Sequence, residues 1–509
     1  MIVSLTKQII IMKKEILLIL LFFTYFNLTA QYTFEREFTD PLYLINCISD
    51  KPIKTDDGGL VMLHHQGNSD DNFNSILIKI NNKGEIVKQK EINRDTINIY
   101  TVNKTNDNNF VCTGMVKSDT SEYRELAVLK LNSDFEVIEK KQYYQPYGDL
   151  GNFNVIRNYK NNFVMAGYFM RVDGQRVYHF PFIFEFTENG DSVRMKYFKN
   201  SYAFNDFTIL ENRDSSGYRL FCDNGLTMDL SWPAINMLDT DFNVDTAYAA
   251  PYQTSGEPIS PMNITTAKWL SADKYLLSYE INNDASMWDH DLGIAIMDDS
   301  TNTLIVDDYT GKPDTTECHA FNAVDFIDKN NIFHVGTSNI IPYTAIPWQK
   351  EPSWILLNKY DSTLNLKWQK YYGGDVCYHA SSVVATQDGG CLITGVKHDY
   401  KQKHTSLSVY LLKVDSLGNY QTTGINKVVE PKNYVLFPNP ATNSFNINLS
   451  PASKAKQIEL YDIAGKLILS KQLTSSQTKI NISCLTKGIY IYRIKNKENI
   501  IDTGKLIKQ

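Results

Sequence analysis

Asn108-Asn109-Phe110-Val111-Cys112-Thr113-Gly114 is a polar turn that runs into a short apolar strand and stops at glycine. The same arrangement returns as Asn161-Asn162-Phe163-Val164-Met165-Ala166-Gly167 and as Gly389-Gly390-Cys391-Leu392-Ile393-Thr394-Gly395. Further copies begin at Gly58, Ser216, Asp273 and Asn330, those at Ser216 and Asp273 being degenerate. Repetition at a period of about 50 to 60 residues is the mark of a propeller or a solenoid.

Reading outward from that strand, a second apolar run follows each time, as in Ile76-Leu77-Ile78-Lys79-Ile80, Ala127-Val128-Leu129-Lys130-Leu131 and Tyr410-Leu411-Leu412-Lys413-Val414. Each ends in a turn rich in Asn, Asp and Gly, residues that tolerate the positive φ of tight hairpins. An alternating strand comes next, as in Leu364 to Tyr371, and one more apolar strand precedes each polar turn, as in Ser382 to Ala385. Four short antiparallel strands make one propeller blade. The expected fold is therefore all-β, with a seven-bladed β-propeller over residues 31–420. The last repeat loses its alternation after Asn419, whereas Tyr32 to Phe38 alternates ahead of the first repeat. That amino-terminal strand is expected to complete the seventh blade. An aromatic content of 12%, with 31 Tyr and 25 Phe, suits pleated and half-buried strands. The repeats resemble the Asp-Gly-Gly propeller repeats of secreted bacterial proteins. They do not fit the Trp-Asp, kelch or Asp-box patterns.

The first 30 residues read as a secretory signal peptide. Lys13-Lys14 is the basic region, Ile16 to Phe26 the apolar region, and cleavage is expected between Ala30 and Gln31. Met12 is an alternative start. No cysteine follows the apolar region to take a lipid, and no second long apolar stretch follows, so no transmembrane segment is expected once the signal is removed.

Residues 421–433 read as a linker, and 434–509 as a small antiparallel, immunoglobulin-like β-sandwich. The blocks are Val435-Leu436-Phe437-Pro438-Asn439-Pro440, then Ile458 to Leu467, Ile480 to Tyr490, and the terminal Lys505-Leu506-Ile507-Lys508. The two prolines end a strand by withholding amide donors. In this order, the blocks resemble the type A sorting domain of type IX secretion cargo. The resemblance places the sorting signal on Pro438, Asn439, Pro440, Gly465, Lys466, Gly488, Tyr490 and Lys505. It implies export by the signal peptide, passage through the type IX translocon, and removal of the domain by a sortase. The destination would be the outer-membrane surface or the exterior, reached through the periplasm. Cys484 departs from the family pattern.

The chain carries 51 Lys and Arg against 57 Asp and Glu, a net charge of −6. From Tyr434 on, 11 basic residues face 4 acidic ones, so the tail is basic and the body acidic. An acidic body repels phosphate backbones and makes nucleic acid an unsuitable partner. The 7 cysteines form no Cys-x-x-Cys pair, which removes zinc-knuckle and thioredoxin-type chemistry. Most sit in apolar strands, where they read as small buried hydrophobes.

Counting back from the repeated strands aligns the starts of the innermost strands around the channel mouth. Asn98, Asp206, Asn263, His319 and His379 fall there and form the candidate ligand-binding ring. Converging polar groups at a concavity form a binding site by default, and histidines there open metal or acid–base roles. Trp288-Asp289-His290-Asp291 lacks the spacing of a calcium loop, and no cofactor or resident metal is assigned. The favoured function is a non-enzymatic binding or adhesion module for a glycan or a protein. The rival is a hydrolase or lyase acting on polysaccharide, which needs a carboxylate pair. The ring offers only Asp206.

Overall fold

The computed structural model describes residues 32–509 apart from 41–42, 49, 70–71, 93–96, 119–122, 146, 174–175, 199–206, 223–225, 227–232, 250–259, 283–288, 313–314, 342–347, 403–405, 421–433, 438–439, 450–454, 463–464, 476 and 497–498. The expected signal segment with Ala30 and Gln31, the linker, Asp206, Pro438 and Asn439 lie outside the described residues. The chain divides into two units, Met1–Thr423 and Gly424–Gln509.

The described residues are all β, without a helix. The first unit is built of small antiparallel sheets whose strands follow one another in chain order, as expected of propeller-like repeats. Asn98–Lys104, Phe110–Val116, Glu125–Leu131 and Val137–Tyr143 make one sheet of this kind. Asp149–Arg157 to Ser192–Tyr197, Thr208–Glu211 to Val244–Ala249, and Ser260–Trp269 to Leu304–Thr310 repeat it. The groups Glu317–Phe326 to Leu366–Gly373 and Cys377–Ala385 to Leu407–Val414 are joined by a single parallel bridge, Asn322 to Ser382. The last group gains its fourth strand from Phe34–Phe38, which pairs antiparallel with Leu407–Val414.

The repeated turn has a physical cause. In Thr55-Asp56-Asp57-Gly58-Gly59 the Thr55 hydroxyl and the Gly59 N–H both donate to Asp57 Oδ1. Asp57 Oδ2 is 2.6 Å from Lys79 Nζ, the lysine of the next apolar strand but one turn away. Asp107 with Lys130 at 3.2 Å and Asp388 with Lys413 at 2.8 Å repeat the pair. The lysine in each run Ile-Lys-Ile, Leu-Lys-Leu and Leu-Lys-Val is therefore a clasp between two strands.

Cores lie between neighbouring groups. Leu63, Leu77 and Ile92 pack with Ile99, Cys112 and Leu129. Val111 and Val128 pack with Phe163 and Phe184, and Val164 and Ile183 with Leu220. Leu210 and Phe221 meet Tyr275 and Leu277, and Ile294 meets Phe333, Val383 and Leu412. The final cluster returns to the start, with Phe34, Leu392 and Leu411 against Ile48, Met62 and Ile80. At roughly 25 cal/mol per Å² of apolar surface removed from water, these shared cores dominate the stability of the unit.

Five of the innermost strands are broken by a bulge. The register shifts between Ile99 and Thr101, Leu150 and Phe153, Met262 and Thr266, His319 and Val324, and Ala380 and Ser382. A bulge pushes one carbonyl toward the neighbouring strand, and the terminal glycine of the repeat receives it. A Cβ on Gly114 would strike the Asn98 carbonyl, and one on Gly395 the His379 carbonyl.

The second unit holds two sheets around one core. Tyr434–Phe437, Ser444–Leu449 and Gln477–Asn481 form one, and Leu467–Gln472, Gln457–Tyr461, Gly488–Asn496 and Asn499–Lys508 the other. Phe445, Ile447, Ile458, Leu460, Ile494 and Leu506 fill the space between them.

Candidate functional site

The carboxy-terminal halves of the innermost strands enclose a cavity of about 1130 Å³. Asp50 to Lys54, Tyr100 to Lys104, Phe153 to Arg157, Phe207 to Arg213, Thr265 to Trp269 and Phe321 to Phe326 contribute to its wall. The wall carries Lys51, Lys54, Lys104, Arg157, Arg213 and Lys268 against Asp50, Glu211 and Asp325, with Lys104 and Arg157 paired to Asp56 and Glu188 beyond the lining.

Asp325 organises one side. Its Oδ1 accepts from Lys268 Nζ at 2.7 Å, and its Oδ2 from Lys54 Nζ at 3.3 Å and from the Ala385 N–H at 2.8 Å. Burial pushes this carboxyl up, but the Lys268, Lys51 and Lys54 ammonium groups outweigh it and hold it at about 2. Lys268 is pulled down to about 7, first by burial and then by the charge of Lys51. Asp50 accepts the Val102 N–H at 2.8 Å and the Lys51 N–H at 2.7 Å, yet burial still raises it to about 6. Rings share the wall. Trp269 donates its indole N–H to the Glu211 carbonyl at 2.8 Å and carries the Arg213 guanidinium 5.1 Å above its face. Phe321 is 59% exposed and Tyr159 is 55% exposed.

None of the described members of the sequence-read ring lines this cavity. They lie at the other ends of the innermost strands, Asn98, His319 and His379 before the bulges and Asn263 within one. Three of them come together. Asn263, in the left-handed region at φ 50°, donates its amide to Glu280 Oε2 at 3.1 Å. His319 Nδ1 is 2.7 Å from Glu280 Oε1, and its backbone N–H reaches the same oxygen at 3.2 Å. His379 Nδ1 meets the Thr337 hydroxyl at 3.1 Å, and burial followed by the His319 charge lowers it to about 4. Asn98 is buried on a separate strand.

Glu280 is the hub that sequence reading missed. Burial raises its carboxyl, and the His319 imidazole, its N–H and His290 together bring it down to about 2. The signal was present in the sequence, as the one carboxylate inside the apolar strand Lys274–Asn282. Glu280, Cys318 and His319 bring one oxygen, one sulfur and one nitrogen within 4.8 Å of one another. That donor set could hold a zinc-like ion.

A second acidic pair stands where a Cβ on Gly311 would strike both Asp291 Oδ1 and Glu317 Oε2. Glu317 is raised to about 7 by burial. It is fully covered and takes the Ser338 hydroxyl at 2.6 Å and the Thr315 hydroxyl at 3.1 Å. A carboxyl closed off in this way does not face a soluble substrate.

In the second unit the expected signal residues sit at turns and at the carboxy-terminal edge. Gly465 has φ 84° in a turn where Asp462 Oδ1 accepts the Lys466 N–H at 2.9 Å. Tyr490 is buried and donates its hydroxyl to the Thr486 carbonyl at 2.9 Å, whereas Lys505 is exposed. Gly488, with φ 155°, opens the strand that carries Tyr490.

An all-β body followed by a small two-sheet unit is the arrangement of a cargo that carries a secretion tail. The tail is specific: residues 435–509 match the family described as Secretion system C-terminal sorting domain. This marks the chain as a secreted type IX cargo, bound for the cell surface or the extracellular space. No helix among the described residues is long and apolar enough to cross a membrane. Comparison with curated proteins gives no match. Similar solved structures include the β-propeller domain of the Trilobed protease from Pyrococcus furiosus, 11% identical with a TM-score of 0.39, covering 77% of this chain and 99% of that one. Another is the alpha-l-arabinofuranosidase arb93a from Fusarium graminearum, 12% identical with a TM-score of 0.35, covering 75% and 97%. A mannose phosphorylase from Leishmania mexicana is 13% identical with a TM-score of 0.31, covering 63% and 85%.

Proposed function

We propose that the body is a seven-bladed propeller that acts as a non-enzymatic binding module on the cell surface or outside the cell, and that its cavity is the binding surface. The observation that carries this reading is the cavity itself, a concavity of about 1130 Å³ with exposed rings and convergent charges. Ligand sites combine apolar walls with a few placed polar groups in this way. The blade count is supported by the seven sequence repeats, by the pairing of Phe34–Phe38 with the last group, and by the core that joins that group to the first. Catalysis on polysaccharide would need two carboxyls in reach of a substrate. In the cavity Asp325 is engaged by Lys54, Lys268 and the Ala385 N–H, Asp50 by the Val102 and Lys51 N–H groups and Glu211 by the Tyr159 N–H, and outside it the pair Asp291 and Glu317 is covered. An immunoglobulin-like sandwich in the tail, a periplasmic route and removal of the tail by a sortase complete the proposal.

The test uses the chain from residue 31 to its end on an array of glycans and surface proteins. Binding that is lost when Trp269 and Phe321 are both changed to Ala supports the cavity. Binding that survives this change moves the site elsewhere. Hydrolysis of any arrayed glycan would replace the binding reading with the enzymatic one.

A further inference from the structure

We infer that the ligand of the cavity is an anionic sugar, whose carboxylate or sulfate group is held by Lys51, Lys54 and Lys268. The inference rests on the reading of the cavity as the binding surface. The sign of the wall is the first argument. The protein as a whole is acidic, with net charge −6, yet with Lys104 and Arg157 paired to Asp56 and Glu188 the remaining cations Lys51, Lys54, Arg213 and Lys268 still outnumber the lining carboxylates Asp50, Glu211 and Asp325. A local inversion of sign concentrates counter-charged ligands by focusing the field between low-dielectric walls.

The second argument is the imbalance around Asp325. Lys54 and Lys268 come from different sheets and both reach its carboxylate, at 3.3 and 2.7 Å. Lys51 adds a third positive charge that acts on both Lys268 and Asp325. One carboxylate does not balance three ammonium groups, and Asp50, raised to about 6 by burial, adds only part of another negative charge near neutral pH. Burial first, and the neighbouring Lys51 charge second, lower Lys268 to about 7. An arriving anion relieves that crowding.

The third argument is the mixture of chemistries. Phe321 and Tyr159 stay exposed on a wall that also holds Trp269. Free-standing aromatic faces suit the apolar face of a sugar ring, while the lysines take its charge. Lysine acts as a compact point charge and does not impose the planar fork by which arginine selects one oxyanion geometry. Both uronates and sulfated sugars therefore fit, and only experiment separates them.

Calorimetric titration of the chain from residue 31 onward decides the matter with three probes: an oligogalacturonate, a sulfated heparin oligosaccharide and a neutral cello-oligosaccharide. Binding of one or both anionic probes, at least tenfold tighter than the neutral one, is expected. Lys268→Met and Lys51→Met should each weaken it about tenfold with circular dichroism unchanged. The second variant keeps the test sound should the first fail to fold. Because a bound anion restores the Lys268 proton, complex formation at pH 7.5 should take up protons, seen as a heat that depends on the buffer. Affinity should fall as pH rises through about 7. Equal binding of the neutral probe, or lysine variants that bind as well as the parent, overturns the anionic assignment and leaves the cavity reading standing. No binding of any of the three overturns the anionic-sugar assignment, and the array with the Trp269 and Phe321 changes then decides the cavity reading separately.

Discussion

Glu280 shows what a single buried charge does to this molecule. Its carboxylate collects the Asn263 amide, the His319 ring and the His319 N–H, all from strands that the bulges bring to one place. Glu280→Gln keeps the shape and removes the charge, leaving His319 with a weaker partner. A loss of about 3 kcal/mol is expected, the usual scale for breaking a buried charged pair, measured by urea unfolding at pH 7. The gap between parent and variant should close as pH falls from 4.5 toward 2, because the folded-state carboxyl titrates at about 2 and its stabilising charge is lost there. His379 adds a separate pH dependence. It is about 4 when folded against 6.5 when unfolded, so the unfolded chain takes up the proton first and stability drains away as pH falls between those values. His379→Gln should flatten that part of a melting-temperature profile. If the variant's profile retains the slope, the assignment to His379 is wrong. Sequence reading found Asn263, His319 and His379 because the repeat aligns them. It missed Glu280 because that residue lies on the next strand, where the repeat expects an apolar side chain. The cavity lysines escaped for a related reason. Lys268 follows the bulge of its innermost strand, and Lys51 and Lys54 fall where the first group's strand is interrupted between Ile48 and Ile53, so neither place keeps a regular alternation.

At the scale of the strand, the glycine at which the repeated apolar run stops is not the end of its strand. It lies in the middle of Phe110–Val116 and of Cys391–His398, paired on both sides. The demand on it comes from the bulged carbonyl of the neighbouring strand. Gly395→Ala should therefore cost about 1–3 kcal/mol, the range for overpacking a close-fitted site, in chemical denaturation. Gly465→Ala in the tail meets no neighbour within 4 Å, and its cost should come from φ 84° alone. The amino-terminal strand offers a second check. Phe34 is buried beside Leu392 and Leu411, and Glu37 and Lys397 pair at 3.0 Å. Phe34→Ala should destabilise the body by about 3 kcal/mol although the residue precedes the first repeat in the sequence. A variant as stable as the parent would show that this strand does not secure the last group. The pairing itself was legible, since Tyr32 to Phe38 supplied the alternation that the last repeat lacked.

At the scale of the molecule, address and cargo were both written in the order of the blocks. The tail is basic and ends in a strand that Ala441 joins by a parallel bridge to Lys508. Removing residues 434–509 should retain the protein inside the cell envelope, measured by fractionation of cells that express the truncated and the full chain. Equal surface display would overturn the role of the tail. The ligand was less legible, because it depends on which charges from distant repeats share a wall, and no spacing along the chain records that.

The contact between Tyr410 and Glu35 joins residues 375 positions apart. A chain made from its amino end presents Glu35 early and Tyr410 late. The first strand to arrive is thus the last that can be placed, and every shorter length of chain has the partner's edge still missing. Pairings over such separations form slowly, because the ends must be brought together before any contact rewards the closure. The fold carries its own timer, and the body reaches its finished state only once the whole of it has been delivered.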